Sequence, residues 1–249
     1  MKAVILSAGQ GSRLLPLTED RPKCLLPINS SRLIELQIKH LIECGIDEVT
    51  VVVGFRAAAV ESFLGVFRRA GLAIRTLFNP FFNVADNLAS CWIARNEMDR
   101  DFVLLNGDTV FEPAVLESLL AAPPAPITLA IDRKVAYDSD DMKVRLQGDR
   151  LVEVGKTLPV EQVDGESIGM MRFLGEGPGR FAGVLDEIMH TPNGIKWWYL
   201  KAIGVLAGQG LVQTHSIEGL TWGEVDFPAD LERAQKLFPD RTPLIEAVA

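Results

Sequence analysis

The chain reads as an α/β protein built on a mixed, mostly parallel sheet with helices on both faces. Three observations predict this. Apolar runs of strand length alternate with amphipathic stretches, the connections between them are short, and the run at 48–53 is β-branched without polar alternation, as in a strand buried on both faces. A chain of 249 residues, 48% hydrophobic and 23% charged, can hold a sizeable core, and we read residues 1–249 as a single domain.

Residues 2–6 form the first apolar strand and run directly into a glycine loop. A helix is expected over 33–44, with apolar residues at 34, 38, 41 and 42 and Gly45 as its C-cap. The spacing then predicts a strand at 48–53, a helix at 57–69 and a strand at 73–78. The turn-rich stretch 79–87 leads into a helix over 88–96, followed by an apolar strand at 101–106. The proline-rich stretch 122–126 is a loop, too short to separate two domains. A strand at 127–131 precedes an acidic segment and a hairpin around Gln147-Gly148-Asp149. A returning strand is expected at 166–173, helices at 181–190 and 196–206, a strand at 211–217 and a last helix at 229–237.

A net charge of −8, from 33 acidic and 25 basic residues, argues against nucleic acid as a partner, since a phosphate backbone needs a basic face. No window approaches the roughly 18 apolar residues of a membrane span, and the N-terminal apolar run is too short for a secretory signal. The expected location is therefore cytoplasmic, with no membrane partner. Cys24, Cys44 and Cys91 are far apart and read as free thiols. His40, His190 and His215 are equally scattered and carry no assigned chemistry.

The informative stretch is Gly9-x-Gly11-x-Arg13-x-x-Pro16-x-Thr18-x-x-x-Pro22-Lys23-x-x-x-Pro27. Small residues let backbone N–H groups approach an anion, Arg13 and Lys23 add cations, and the prolines stiffen the span between them. Such a loop after a strand suits a polyphosphate. Leu14 stands where a dinucleotide-binding loop has its third glycine, and no Gly-Lys-Ser/Thr follows, so two familiar phosphate loops are excluded. This spaced set resembles the opening of the nucleotidyltransferases that join a nucleoside triphosphate to a sugar phosphate or phosphocholine. The resemblance implies a GT-A-like (Rossmann-like) nucleotidyltransferase fold, with Leu6, Ala8, Gly9 and Gly11 lining the nucleotide. It further implies that Arg13 holds the β- and γ-phosphates and that Lys23 sits near the reacting phosphorus.

Further matches follow along the chain. Asn79-Pro80 and Asn87-x-x-Ser90 are similar to the phosphocholine cytidylyltransferase branch, which implies CTP, with Asn79 and Asn87 toward the nucleotide and Ser90 toward the acceptor. Asp86 or Asn87 also suits a plain helix cap. Gly107-Asp108 follows a strand end; it suits a turn, and by resemblance Asp108 is a ligand for Mg²⁺. Asp226 is implied as the second metal carboxylate, with Glu224 as its substitute, although Asp226 also suits a helix start. Lys156 falls where relatives hold the acceptor phosphate, with Gly155 in place of a common glutamate. Asp132, Lys143 and Gly169 are the remaining expected acceptor contacts. The acidic stretch 138–141 reads as a solvated loop, its alternative being contact with a cationic headgroup. Of Trp197, Trp198 and Tyr199, not all can face the core, and one ring could cover a quaternary ammonium.

The resemblance thus implies a Mg²⁺-dependent cytidylyltransferase that releases pyrophosphate. Phosphocholine is the first expected acceptor and a 2-aminoethylphosphonate-type compound the second; inositol phosphate or a sugar 1-phosphate follows. A glycosyltransferase on the same architecture would need an Asp-x-Asp pair where Gly107-Asp108-Thr109 offers one carboxylate. A nucleotide sensor without catalysis would have lost phosphate or metal positions, and only Gly155 departs from the pattern.

Overall fold

The computed structural model of the chain describes residues 1–240. Strand β1 (Lys2–Ser7), buried along its whole length, feeds the glycine loop, which ends in a small hairpin of β2 (Pro27–Ile28) and β3 (Ser31–Arg32). Helix α1 (Leu33–Glu43) starts there, the Glu35 carboxylate accepting from the Arg32 backbone N–H at 3.2 Å. Then come β4 (Glu48–Val53), α2 (Ala57–Arg69) and β5 (Ala73–Phe78), as the periodicity predicts. Helix α3 (Asn87–Ala94) leads to β6 (Phe102–Asn106), β7 (Thr109–Phe111), α4 (Pro113–Ala121) and β8 (Ile127–Asp132). The hairpin of β9 (Lys143–Gln147) and β10 (Arg150–Gly155) is followed by the long β11 (Gly165–Phe173) and by α5 (Gly177–Met189). The described chain closes with α6 (Leu200–Gly208), β12 (Val212–Ser216), β13 (Trp222–Glu224) and α7 (Pro228–Leu237). No helix among the described residues is long and apolar enough to cross a membrane.

The main sheet has nine strands in the order β5-β4-β1-β6-β11-β8-β12-β10-β9, and β9 pairs in addition with β11. That extra pairing closes β11, β8, β12, β10 and β9 into a five-stranded barrel. The expectation of a mostly parallel, GT-A-like (Rossmann-like) sheet is therefore corrected: five of the nine pairings are antiparallel. The parallel pairings are the block of β5, β4, β1 and β6, linked through helical crossovers, and the single pair of β8 with β12. Beyond β8 the chain reverses at a hairpin instead, and β11 runs antiparallel to β6, β8 and β9. The α/β class and the helices on both faces are as expected.

Gly169 explains how β11 serves both the open part of the sheet and the barrel. It holds a φ of +71°, in the left-handed region, and the pairing with β8 shifts between Ser167 and Met171 around it. A Cβ at this position would overlap the Asn106 side chain at the end of β6.

One core fills the face covered by α3, α5 and α6, with Phe102 and Phe173 stacked at 4.4 Å between ring centroids and Phe181 at 4.8 Å from Phe173. A second core lies under α1, α2 and α4. A third, smaller cluster joins Leu14 and Leu26 of the glycine loop to Val110, Val225 and Leu231. Two of these apolar residues sit beside charged candidates: Leu14 follows Arg13, and Val225 precedes Asp226. The third cluster thus fixes the loop against the start of α7.

The expected helix over 196–206 differs. A 3-10 turn at Gly194–Lys196 precedes it, and the helix proper begins at Leu200, with Trp197 and Trp198 half-exposed and Tyr199 fully buried. Replacing Phe173 by Ala removes a buried ring from the strand common to the open part of the sheet and the barrel, and we expect a loss of about 3–5 kcal/mol. Urea unfolding monitored by circular dichroism checks this; a loss under about 1 kcal/mol would show that the aromatic stack carries little.

Candidate active site

The glycine loop emerges from the carboxyl end of β1, between β4 and β6 in the sheet. Gly11 adopts a φ of +76°, and a Cβ there would stand 3.0 Å from the Cβ of Lys23. The hydroxyl of the buried Thr18 donates to the Gly11 carbonyl at 2.8 Å, closing the loop on itself. The Ala8 carbonyl accepts from the Phe55 N–H at 2.9 Å, and that of Leu6 from the Gly107 N–H at 2.9 Å. The loop is thereby tied to the ends of both flanking strands.

On this frame the charged candidates form one alternating chain. Lys23 Nζ donates to Asp108 Oδ2 at 2.8 Å and to Asp226 Oδ1 at 2.5 Å. Arg13 Nη1 donates to Asp226 Oδ2 at 3.3 Å and to Asp140 Oδ2 at 2.6 Å. Lys156 Nζ completes the series on Asp140 Oδ1 at 2.8 Å and lies 4.9 Å from the ring centre of Trp198. The short ladder between β7 and β13 makes the first link: Thr109 pairs with Glu224, and the Val225 N–H donates to the Asp108 carbonyl at 3.1 Å. Asp108 and Asp226, distant in sequence, are thus brought to one ammonium. Burial opposes charge on Lys23, but the two carboxylates outweigh it and hold its pKa above the ordinary value. The hydrogen bond from Lys156, and then the charges of Lys156 and Arg13, hold Asp140 below the usual carboxylate range against some desolvation.

Sequence reasoning misses Asp140, because an acidic loop looks solvated. Its neighbours explain its fixed position. Asp138 accepts from the backbone N–H groups of Asp140 and Asp141, at 2.7 and 3.1 Å. Lys143 donates to the carbonyls of Asp138, Asp141 and Lys156. Lys143, an expected acceptor contact, therefore spends its ammonium on backbone and pins the loop. Asp132 is similarly engaged, accepting from Trp222 Nε1 at 2.7 Å and from the Arg133 N–H at 2.8 Å.

Two cavities border the charge chain, and another joins one of them through Asn87. This last, of about 200 Å³, is lined by Leu6, Ala8, Gly9, Asn79, Asn87 and Ser90, together with Phe82, Ala85 and Asp86. It gathers every expected nucleotide contact except Gly11, which lies against Lys23 instead. Ser90, expected on the acceptor side, lies here because Asn79 Nδ2 donates to its hydroxyl oxygen at 3.0 Å. Asn87 also faces a second cavity, of about 120 Å³, that reaches Asp108, Lys156, Gly169 and Asp226. Its Oδ1 accepts from the Tyr199 N–H at 2.9 Å, and Tyr199 in turn donates to Asn106 Oδ1 at 3.1 Å.

The third cavity, about 360 Å³, is acidic: Asp132, Asp138, Asp140, Asp141, Glu166 and Glu224 line it, with Lys134 and Arg233 as its cations. Lys134 sits between Asp141, at 2.8 Å, and Glu166, at 3.0 Å. Burial pushes Glu166 up to about 7, while Lys134 opposes the shift. Glu224 is pushed up to about 8 by desolvation and then by Asp108 and Asp226. Because Glu224 is exposed on the cleft wall, the nearby negative charges are the cause that persists when the cleft is wet. Lys23 meets Asp226 rather than Glu224, so the substitute ligand is not the one the loop presents.

The donor set suits a hard divalent cation. Asp108 Oδ1 is buried without a hydrogen-bond partner, and Asp226 converges on the same ammonium. Mg²⁺ binds through one or two carboxylates with substrate phosphates completing its shell. Among the described residues no group of three or more His, Cys, Asp or Glu could hold a metal ion by itself. The two carboxylates therefore fit Mg²⁺ only as a site shared with phosphate.

A glycine loop with its own cations, meeting one carboxylate past the end of β6 and another past the end of β13, is the arrangement of a phosphate-handling enzyme. The chain belongs to the nucleotidyl transferase family, which it matches over residues 2–127. It is 34% identical over 248 residues to CMP-5'-(3-aminopropyl)phosphonate synthase of Streptomyces rubellomurinus, covering 96% of this chain and 39% of that protein. It is 24% identical over 254 residues to CTP:phosphoglutamine cytidylyltransferase of Campylobacter jejuni, covering 93% of this chain and 98% of that one. The chain thus spans well under half of the first relative and nearly all of the second. In fold it is similar to the inositol-1-phosphate CTP transferase from T. maritima, with a TM-score of 0.79 and 20% identity over 99% of this chain and 95% of that one.

The Asp140 carboxylate occupies two of the three cations that a phosphate would use. Asp140→Asn should therefore tighten binding of inorganic pyrophosphate by about two- to fivefold at low salt, the modest range expected for half-exposed ion pairs, and the gain should shrink at high salt. Isothermal titration calorimetry on the two proteins measures it. Unchanged or weaker binding would contradict the competition.

Proposed function

We propose that this chain, acting as one catalytic domain, transfers the cytidylyl group of CTP to the phosphate or phosphonate oxygen of a small acceptor and releases pyrophosphate. The observation that carries the proposal is the convergence of Lys23 and Arg13 on Asp108 and Asp226, which line the second cavity, itself joined through Asn87 to the cavity at the glycine loop.

Both reactants are anions, so repulsion and misalignment are the main barriers. Arg13 and Lys23 would exchange their carboxylate partners for the β- and γ-phosphate oxygens and hold them over the strand ends. Lys156, on the second cavity, would leave Asp140 for the acceptor's phosphate or phosphonate. An ionised acceptor oxygen then attacks the α-phosphorus with its own lone pair, and the bond to the bridging oxygen of the β-phosphate breaks. The electron pair leaves with pyrophosphate, and no proton need be removed from the acceptor. Mg²⁺, held by Asp108 and Asp226 when bound, supplies charge neutralisation for the phosphates. Tyr199, buried and with its pKa raised by desolvation, stays a neutral phenol and serves as packing beside the second cavity.

The acidic third cavity opens next to that reaction space and shares Asp140, Glu224 and Asp226 with it. An acceptor bearing a primary ammonium beyond its phosphonate would donate hydrogen bonds to these carboxylates, which a quaternary ammonium cannot do. The face of Trp198 that could cover a quaternary group carries Lys156 instead. We therefore place an aminophosphonate ahead of phosphocholine. The 34% identity to a protein named for an aminopropylphosphonate product supports that order.

Pyrophosphate release should be measured with each nucleoside triphosphate crossed against 2-aminoethylphosphonate, phosphocholine and glucose 1-phosphate. We expect CTP with the aminophosphonate to give the highest kcat/KM. Release with no pair would remove the transfer reading, and a preference for glucose 1-phosphate would replace the acceptor. Lys23→Ala and Asp108→Ala should each lower kcat by about 100-fold or more, the scale of a lost charge-stabilising group. A near-normal rate in either folded variant would overturn the role given to that residue.

A further inference from the structure

We infer that Asp86 and Ser90 read the edge of the nucleotide base and select cytosine, with Asn79 as the positioning residue for Ser90. The inference rests on the cytidylyl-transfer reading and names the residues that choose its nucleotide.

A buried amide stands behind Ser90. Asn79 is 1% exposed, and its Oδ1 accepts from the Phe81 backbone N–H at 2.8 Å. A backbone N–H can only donate, so this contact fixes which end of the amide is oxygen. The other end, Nδ2, therefore faces Ser90 and donates to its hydroxyl oxygen at 3.0 Å. Ser90 is itself 4% exposed and lines the 200 Å³ cavity. With its oxygen engaged as an acceptor, the hydroxyl is left to act as a donor, and it lies on the wall of this cavity. A ligand in the cavity can accept from it.

Asp86 stands four residues earlier, at the N-cap of α3, so it shares a helix face with Ser90. The usual reason for an aspartate at this position is a side-chain bond to the first helical N–H groups. Asp86 makes no such bond, and it lines the same cavity. The cavity is therefore lined by an anionic acceptor and, one helical turn on, a hydroxyl free to donate, with Leu6 and Phe82 also on its wall.

Cytosine presents the complementary pair: its exocyclic N4 amine can donate to Asp86, and the adjacent bare N3 can accept from Ser90. Carboxylates are natural partners of that amine. Uracil inverts both positions, setting its O4 carbonyl against the carboxylate and its N3–H against the hydroxyl proton. A site built to hydrogen-bond one edge rejects the inverted edge because its own groups are left unpaired. Selection thus falls on base polarity more than on base size.

The test compares kcat/KM for CTP and UTP, with one acceptor, in the wild type and in Asp86→Asn, Ser90→Ala and Asn79→Ala. We expect the wild type to favour CTP by about 100-fold, and each of the first two variants to lower that ratio by about tenfold. The amide introduced by Asp86→Asn can turn its NH₂ toward O4, so this change should act mainly by improving UTP. Asn79→Ala should reduce the ratio as Ser90→Ala does, whereas simple loosening of the fold would lower both rates together. Asp86 is exposed, so its variant tests the idea even if a buried substitution fails to fold. A wild-type preference for UTP or ATP, or an unchanged CTP:UTP ratio in Asp86→Asn, overturns this inference while leaving nucleotidyl transfer intact. Turnover with no nucleoside triphosphate at all removes both.

Discussion

Two ionised carboxylates repel each other in a small volume unless a positive charge lies between them, and in this protein that charge is Lys23. Asp108 and Asp226 reach it from distant parts of the chain, at 2.8 and 2.5 Å. Much of the local architecture serves the meeting. The β7–β13 ladder sets one carboxylate beside the other, the small apolar cluster of Leu14, Leu26 and Val225 holds the loop to α7, and Gly11 leaves room for the lysine stem. Arg13, Asp140 and Lys156 extend the same alternation outward. A chain with a net charge of −8 can therefore hold polyphosphate, because the local cations are kept in place by carboxylates they can exchange.

That alternation also orders space. Asn87 borders both the cavity at the glycine loop and the inner one, while Asp140, Glu224 and Asp226 border both the inner and the acidic one. The inner cavity, which Asp108 and Lys156 also line, is therefore the one that joins the other two. The three cysteines are unpaired, and desolvation pushes Cys24 up to about 12 and raises Cys91 further from ionisation, so they belong to the packing and not to the chemistry.

What could be read in the amino acids was local. The glycine loop, the apolar strands and Gly107-Asp108 announce themselves within a few residues, and the structure brings Leu6, Ala8, Gly9, Asn79 and Asn87 into one cavity. Closure of the barrel was hidden because it depends on β9 meeting β11 as well as β10, a pairing without a sequence signature of its own. The alternation of strands and helices in the first half therefore suggested a mostly parallel sheet throughout. Helix α4 did leave a signal, Pro113 at its first turn ahead of Val115, Leu116 and Leu119, but it is short. The partners of Lys143 and Ser90 were not legible for a common reason: a carbonyl cage and a buried amide, both formed only on folding, decide where each polar group points. Asp140 looked solvated because its two cationic partners lie outside its own loop in sequence.

The most direct measurement is a crystal of the protein grown with CTP and Mn²⁺, the manganese located by its anomalous scattering. The account predicts a metal peak bridging the Asp108 and Asp226 carboxylates and the triphosphate, with phosphate oxygens on Arg13 and Lys23. A triphosphate bound elsewhere, or a metal held without those two aspartates, would contradict it.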